Sequence, residues 1–389
     1  MAIGGGTGWR LIPMVSALGA MDMTAALQAD LDSAIAARRA WSVPAGGNRL
    51  TSTGLGYGSN AIINMVGDLY NDHGPLVGTL YCLTNRSSAR LHNVTIIGKG
   101  GSFVGAATAP NGATRKGLGI VKVDGFVVTG ARTDGPLTGF GMEVKDATGG
   151  VLTGLVLNAG ANVAGADGLH FFGACQRVSG SNIVISSGDD ALSFTHENGE
   201  SMNALMERIT LSGLTLNSAA YSCIKFHVNA TTGKATIRNI RLSNIKGAIL
   251  SGPTGCPLIM ENKGVAQGCV IDDVVIRDAD LTFGEKTTQD GPCAFLTDVS
   301  NVQLLNMKLR GRRRGQFLRA IRCRGLTLTG ELWETIPGSA AGNMIQLEQC
   351  GNYRIDVIVR SATGARLGVI QASNTGVDTG IRSLGITGA

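Results

Sequence analysis

The sequence predicts an all-β chain, a right-handed parallel β-helix. Three observations lead there: a glycine-rich, charge-poor composition, short strands of alternating apolar residues, and recurrence of those strands at intervals of one solenoid coil. Gly is 57 of 389 residues, about twice its usual share. Charged residues are 16% against a usual value of roughly 25%. That excludes a disordered chain, which needs high charge, and a collagen, which needs Gly at every third position. No apolar run reaches the roughly 20 residues that would cross a bilayer, so membrane insertion is not expected. The formal net charge of +6 permits an anionic partner without calling for nucleic acid.

The repeat is read from ten segments, among them HNVTIIG from His92, QRVSGSNIVIS from Gln176, ERITLSGLTLN from Glu207 and RNIRLSNI from Arg238. Their first apolar residues are Val94, Phe126, Val151, Val178, Ile209, Ile240, Val274, Val302, Leu326 and Tyr353, separated by 24 to 34 residues. Period-2 alternation inside each segment means strand. Helical repeats fail on the β-branched content and on the Gly and Asn at every boundary. About ten stacked coils are expected, with like side chains in internal ladders.

Such a rod has open strand edges at its ends, and these need a cover. Asp22 to Arg39 supplies one: Asp22 caps a helix whose Leu27, Leu31 and Ile35 share a face. WSVPAGGNRL then reads as a strand with a turn. The expected organisation is an N-terminal arm over 1–20, a capping helix and lead-in region over 21–84, and the β-helix with its C-terminal cap over 85–389. Leu11 to Ala20, broken by Pro13, Ser16 and Gly19, is not read as a secretion signal. Gly4 to Gly8 lacks the Lys-Ser/Thr ending of a phosphate loop.

Eight cysteines, Cys82, Cys175, Cys223, Cys256, Cys269, Cys293, Cys323 and Cys350, form no C-x-x-C pair. They read as small buried hydrophobes of a protein made in a reducing compartment, and no metal or other cofactor is expected.

A second strand per coil comes from stacking FGMEVK, DGLHFF, DALSFT and SCIKFH. Met142, Leu169, Leu192 and Ile224 form one apolar column, and Val144, Phe171, Phe194 and Phe226 another. If these face inward, Glu143, Lys145, His170, Phe172, Ser193, Thr195, Lys225 and His227 face outward. Three of the five histidines, His170, His196 and His227, lie within 58 residues, beside Asp167, Asp189, Asp190 and Lys225. One repeat apart in sequence is about 5 Å apart in such a rod. The acids therefore gather on one wall. Paired carboxylates there can cleave a glycosidic bond, one donating a proton to the leaving oxygen and one activating water. Crowding would raise at least one pKa. The bland alternative is that Gly188-Asp189-Asp190 caps a turn through its own backbone.

The stretch from Gly165 to Val228 resembles the core of polygalacturonase-type glycoside hydrolases, through Ala166-Asp167-Gly168, Gly188-Asp189-Asp190 and Cys223-Ile224-Lys225. The resemblance implies an inverting, metal-free hydrolase with Asp189 as general acid, Asp167 and Asp190 holding the attacking water, and Lys225 binding substrate. His170, His196, His227 and Glu143 are the further candidate substrate contacts. This chain lacks the family's G-H-G and has Cys223 where the family has Arg, so a uronate substrate is not implied. Asp22 to Leu50 is similar to the opening of pectate-lyase-like phage tailspikes and depolymerases. That likeness implies a virion tail protein, made in the host cytoplasm, homotrimeric, docked to other tail proteins and acting on a bacterial surface polysaccharide. An extracellular enzyme is the alternative location. The rival functions are a non-catalytic structural or receptor-binding tail protein and a polysaccharide lyase on the same fold, with Lys225 or a His as base. Seven arginines between Arg310 and Arg324 offer either a groove for acidic glycan or an ordinary solvated coil edge.

Overall fold

The structure is a computed structural model. It describes residues 22–72, 78–105, 113–135, 137–160, 165–197, 204–230, 232–250, 255–283, 292–312, 316–336, 345–361, 370–373 and 382–388. The expected arm over 1–20, with Gly4 to Gly8 and Trp9, lies outside them.

The chain winds into a parallel β-solenoid with two long sheets, one of 12 strands and one of 18. The 12-stranded sheet runs through Met142–Lys145, Leu169–Phe172, Leu192–Glu197, Ile224–Asn229 and Leu258–Asn262. It has two strands more than the ten levels expected, Leu55–Gly56 and Gly78–Thr84, so the winding begins inside the lead-in region.

The two inward columns stand as expected. Leu169, Leu192 and Ile224 are in register, as are Phe171, Phe194 and Phe226. The three Phe rings stack at 5.1 and 4.7 Å between centroids and are fully buried. Burial of each ring contributes about 1.5–3 kcal/mol, and the stacking about 0.5–1.5 kcal/mol more.

In the other sheet one position departs from the expected column. Gly150, and not Val151, stands opposite Phe126 and Val178. A Cβ on Gly150 would lie 1.9 Å from the Phe126 ring, so the large ring below fills the space that a side chain would need. Val151 turns outward and is 43% exposed.

The bend at or near the start of these strands is built from one left-handed residue per level: Asn60, Asn93, Gly125, Gly149, Arg177, Arg208, Asn239, Asp273, Asn301, Gly325 and Asn352, all at φ between 50° and 74°. Gly and Asn tolerate that region best, which explains the Asn and Gly seen at segment boundaries.

The N-terminal helix, Thr24–Ala36, buries Leu27, Leu31 and Ala34 and packs against the strands that hold Trp41 and Leu55. Ile35 is only partly buried, because Ala34 takes its place on the packed face. The Asp22 carboxylate accepts from the Thr24 N–H at 3.0 Å and from the Thr51 N–H at 3.1 Å, tying the helix start to the first coil. All eight cysteines are buried free thiols.

Candidate functional site

Where the chain enters each strand of the 12-stranded sheet, Asp167 sits one residue before Gly168-Leu169 and Asp190 one before Ala191-Leu192. Since Leu169 pairs with Leu192 and Leu192 with Ile224, Asp167, Asp190 and Ser222 form one vertical column. The ladder bond from Gly168 N–H to the Asp190 carbonyl, 2.9 Å, holds that register. Gly168 is required there: a Cβ would lie 2.0 Å from the Ile185 side chain. Asp189 lies beside the column. Its carboxylate accepts from the Gly165 N–H at 2.6 Å, while its carbonyl accepts from the Ser187 and Ser218 hydroxyls at 3.0 and 2.5 Å.

Asp167, Asp189 and Asp190 each bring a carboxylate oxygen within 4.8 Å of the others. Both Asp190 oxygens are engaged, one by the Ser222 hydroxyl at 2.5 Å and one by the Lys225 ammonium at 2.8 Å. Asp167 and Asp190 are 4% and 2% exposed, whereas Asp189 is half-buried. Solvent therefore reaches Asp189 first. Among the described residues this is the one acidic group spaced to share a cation, and the Lys225 ammonium already stands against it.

Burial, then the charge of Asp167, pushes Asp190 up to about 7 against the pull of Lys225. Asp189 is raised as well, by burial first and by Asp167. Burial alone would lower Lys225, but Asp190 outweighs it and holds the lysine above its ordinary value.

The remaining expected residues divide. His170 and Glu143 face outward in register with each other, yet both are buried. The His170 Nδ1 is 2.7 Å from Asp167 Oδ2, so it belongs to the cluster. Glu143 pairs with the Lys116 ammonium at 3.1 Å and accepts from the Tyr81 hydroxyl. His227 lies one column over, beside Thr195, with its Nδ1 3.1 Å from Glu261. His196 alternates with Thr195 and Glu197 and pairs with Val228, which puts it on the core side, 3% exposed.

Lys116, Tyr81 and Glu261 are members of this face that the stacked segments omitted, and Ser222, which opens SCIKFH, was not among the expected site residues. Extending the stack to Lys116-Gly117-Leu118 and to Leu258-Ile259-Met260-Glu261 would have found two of them, since Leu118, Leu258 and Met260 continue the inward columns.

The arginine run does not form one groove. Arg310 pairs with Asp280 at 2.9 Å, Arg319 with Glu348 at 3.1 Å, and Arg322 with Asp298 at 2.5 Å, on two different sheets and a turn. Arg313 and Arg314 lie outside the described residues.

Fold and site together define a parallel β-solenoid with a buried carboxylate cluster on the outer wall of one sheet. No protein-family model and no curated protein matches the sequence. Solved structures do match in fold. An endo-xylogalacturonan hydrolase from Aspergillus tubingensis has a TM-score of 0.52 at 16% identity, covering 94% of this chain and 96% of that one. A tailspike of E. coli bacteriophage HK620, solved with a pentasaccharide, has a TM-score of 0.58 at 12% identity, covering 90% and 75%. PfbA, a surface adhesin of Streptococcus pneumoniae, has a TM-score of 0.52 at 9% identity, covering 94% and 90%. At these identities what is shared is the fold.

Proposed function

We propose that the protein is a phage tailspike-type glycanase that binds a bacterial surface polysaccharide and hydrolyses it at Asp167, Asp189 and Asp190. The observation that carries this reading is the contrast within the cluster: three carboxylates from adjoining coils share oxygens within 4.8 Å, and only Asp189 is accessible. Asp189, held protonated more readily than an ordinary aspartate, donates to the leaving oxygen. Asp167 and Asp190 hold the water, and Lys225 with Ser222 fixes Asp190. A general acid must be protonated, so activity falls as pH rises past its raised value.

The 4.8 Å spacing is shorter than the roughly 6.5–9.5 Å of a usual inverting pair. Inversion is thus carried by the family resemblance and not by the spacing, and NMR of the first-formed anomer decides it. The lyase reading is weaker because Lys225, held charged by Asp190, is a poor base.

A specific observation favours a second reading, adhesion without cleavage: Asp167 and Asp190 are 4% and 2% exposed, which leaves little room for water between them. Association as a trimer and with other tail proteins belongs to the same proposal.

The test is Asp189→Asn on a panel of bacterial capsular and O-antigen polysaccharides. Reducing-end release should fall by about 100-fold or more with sugar binding intact. A wild-type rate in the variant removes Asp189 from the chemistry. Product absorbing in the ultraviolet points to a lyase, and binding without product to an adhesin.

A further inference from the structure

His170 stands in the acidic cluster but is only 5% exposed, too deep to meet a polysaccharide chain. Its ring is fixed on every side. Phe140 lies against one face at 4.1 Å between centroids, and Phe172 meets it edge-on at 5.4 Å. Nε2 is 2.5 Å from the Thr195 hydroxyl, and Nδ1 is 2.7 Å from Asp167 Oδ2. The Nδ1 approach lacks the alignment of a regular hydrogen bond. Even so, two bare acceptor atoms repel at 2.7 Å, so a proton lies between them.

We infer that His170 is a positioning residue: with a proton at Nδ1 against Asp167 and with Nε2 against the Thr195 hydroxyl, it holds the Asp167 carboxylate against Asp190. The hydrogen bond made by one ring nitrogen decides which nitrogen carries the proton. Here the short contact to Asp167 decides it. The inward columns set the height of Asp167, since Leu169 is locked in register with Leu192. What the backbone leaves free is the rotation of the carboxylate, and His170 and the Asp190 N–H, 3.3 Å from Asp167 Oδ1, take one oxygen each. The effect on rate rests on the hydrolytic reading above; the state of the ring does not.

Two measurements test it. In protein with 15N-labelled histidine, long-range 1H–15N spectra at neutral pH should show one ring in the Nδ1–H form, absent from the His170→Asn variant. A ring with a proton on Nε2 and none on Nδ1 overturns the inference, whatever the protein does to polysaccharide. For the panel polysaccharide that the wild type cleaves, His170→Asn keeps an N–H near the Nδ1 position and should retain most of kcat. His170→Gln places its N–H near Nε2 and should lose roughly tenfold or more of kcat at unchanged KM, as expected for a group that orients a reacting one. Equal loss in both variants would mean packing alone, and a raised KM at unchanged kcat would mean substrate contact; either overturns it. Failure of the hydrolytic reading shows separately, as an Asp189→Asn variant of wild-type activity or a wild type that cleaves nothing, and the spectra then decide alone.

Discussion

Glu143 and Asp190 make a natural control. Each is 2% exposed, Glu143 within a strand of the 12-stranded sheet and Asp190 in the turn that leads into one, and each has a lysine ammonium within about 3 Å. Their acidities nevertheless move in opposite directions. Burial works to raise both, but Lys116 and then the Tyr81 hydroxyl overcome it at Glu143, which is held below its ordinary value. At Asp190 the neighbouring Asp167 adds to burial, and Lys225 cannot offset the two together. The count of nearby charges therefore sets the direction, not depth. One lysine for one acid makes a structural ion pair, whereas one lysine for three acids leaves a proton to spare.

The largest effect expected from that contrast is the loss of Lys116. Lys116→Met strands Glu143 as a buried charge and should cost about 3–5 kcal/mol in urea unfolding at neutral pH. Lys225→Met should cost less, because Asp190 takes up a proton readily; an equal cost would mean that the two sites do not differ as described. Next is the pH dependence of stability. Asp190 is raised, so its contribution is full below 3.8 and lost as pH rises through about 7. Glu143 is lowered, so its contribution is present above 4.5 and lost as pH falls. Asp190→Asn should accordingly flatten the thermal-stability profile between pH 3.8 and about 7, and Glu143→Gln only its side below 4.5. Interchanged effects would reverse the assignment. The smallest effect is Tyr81→Phe, which removes one donor to an ionised carboxylate and should cost about 1.5–3 kcal/mol by chemical denaturation. No loss would place the hydrogen bond outside the balance at Glu143.

Much of this was legible because a solenoid turns sequence period into vertical neighbourhood. The inward Leu and Phe columns needed only alternation, and they fix where Asp167 and Asp190 stand. Val151 was misplaced because the pattern counts apolar residues and cannot see that the Phe126 ring fills the site of its neighbour, so that a glycine must stand there. The outward positions of Glu143 and His170 were also readable. Their burial was not, since it depends on partners such as Tyr81, 62 residues from Glu143, and on Phe140 lying over the imidazole. Asp189 and Asp190 are adjacent in sequence and look equivalent. Only the three-dimensional path of the turn shows one half-open and the other enclosed.

The left-handed corner repeated from Asn60 to Asn352 has one more consequence. Because every level returns to the same heading, a whole turn can be gained or lost in descent without altering which way the remaining side chains point. What such a change would redraw are the neighbours made by stacking alone, such as Lys225, in register with Ser193 and with its ammonium on Asp190.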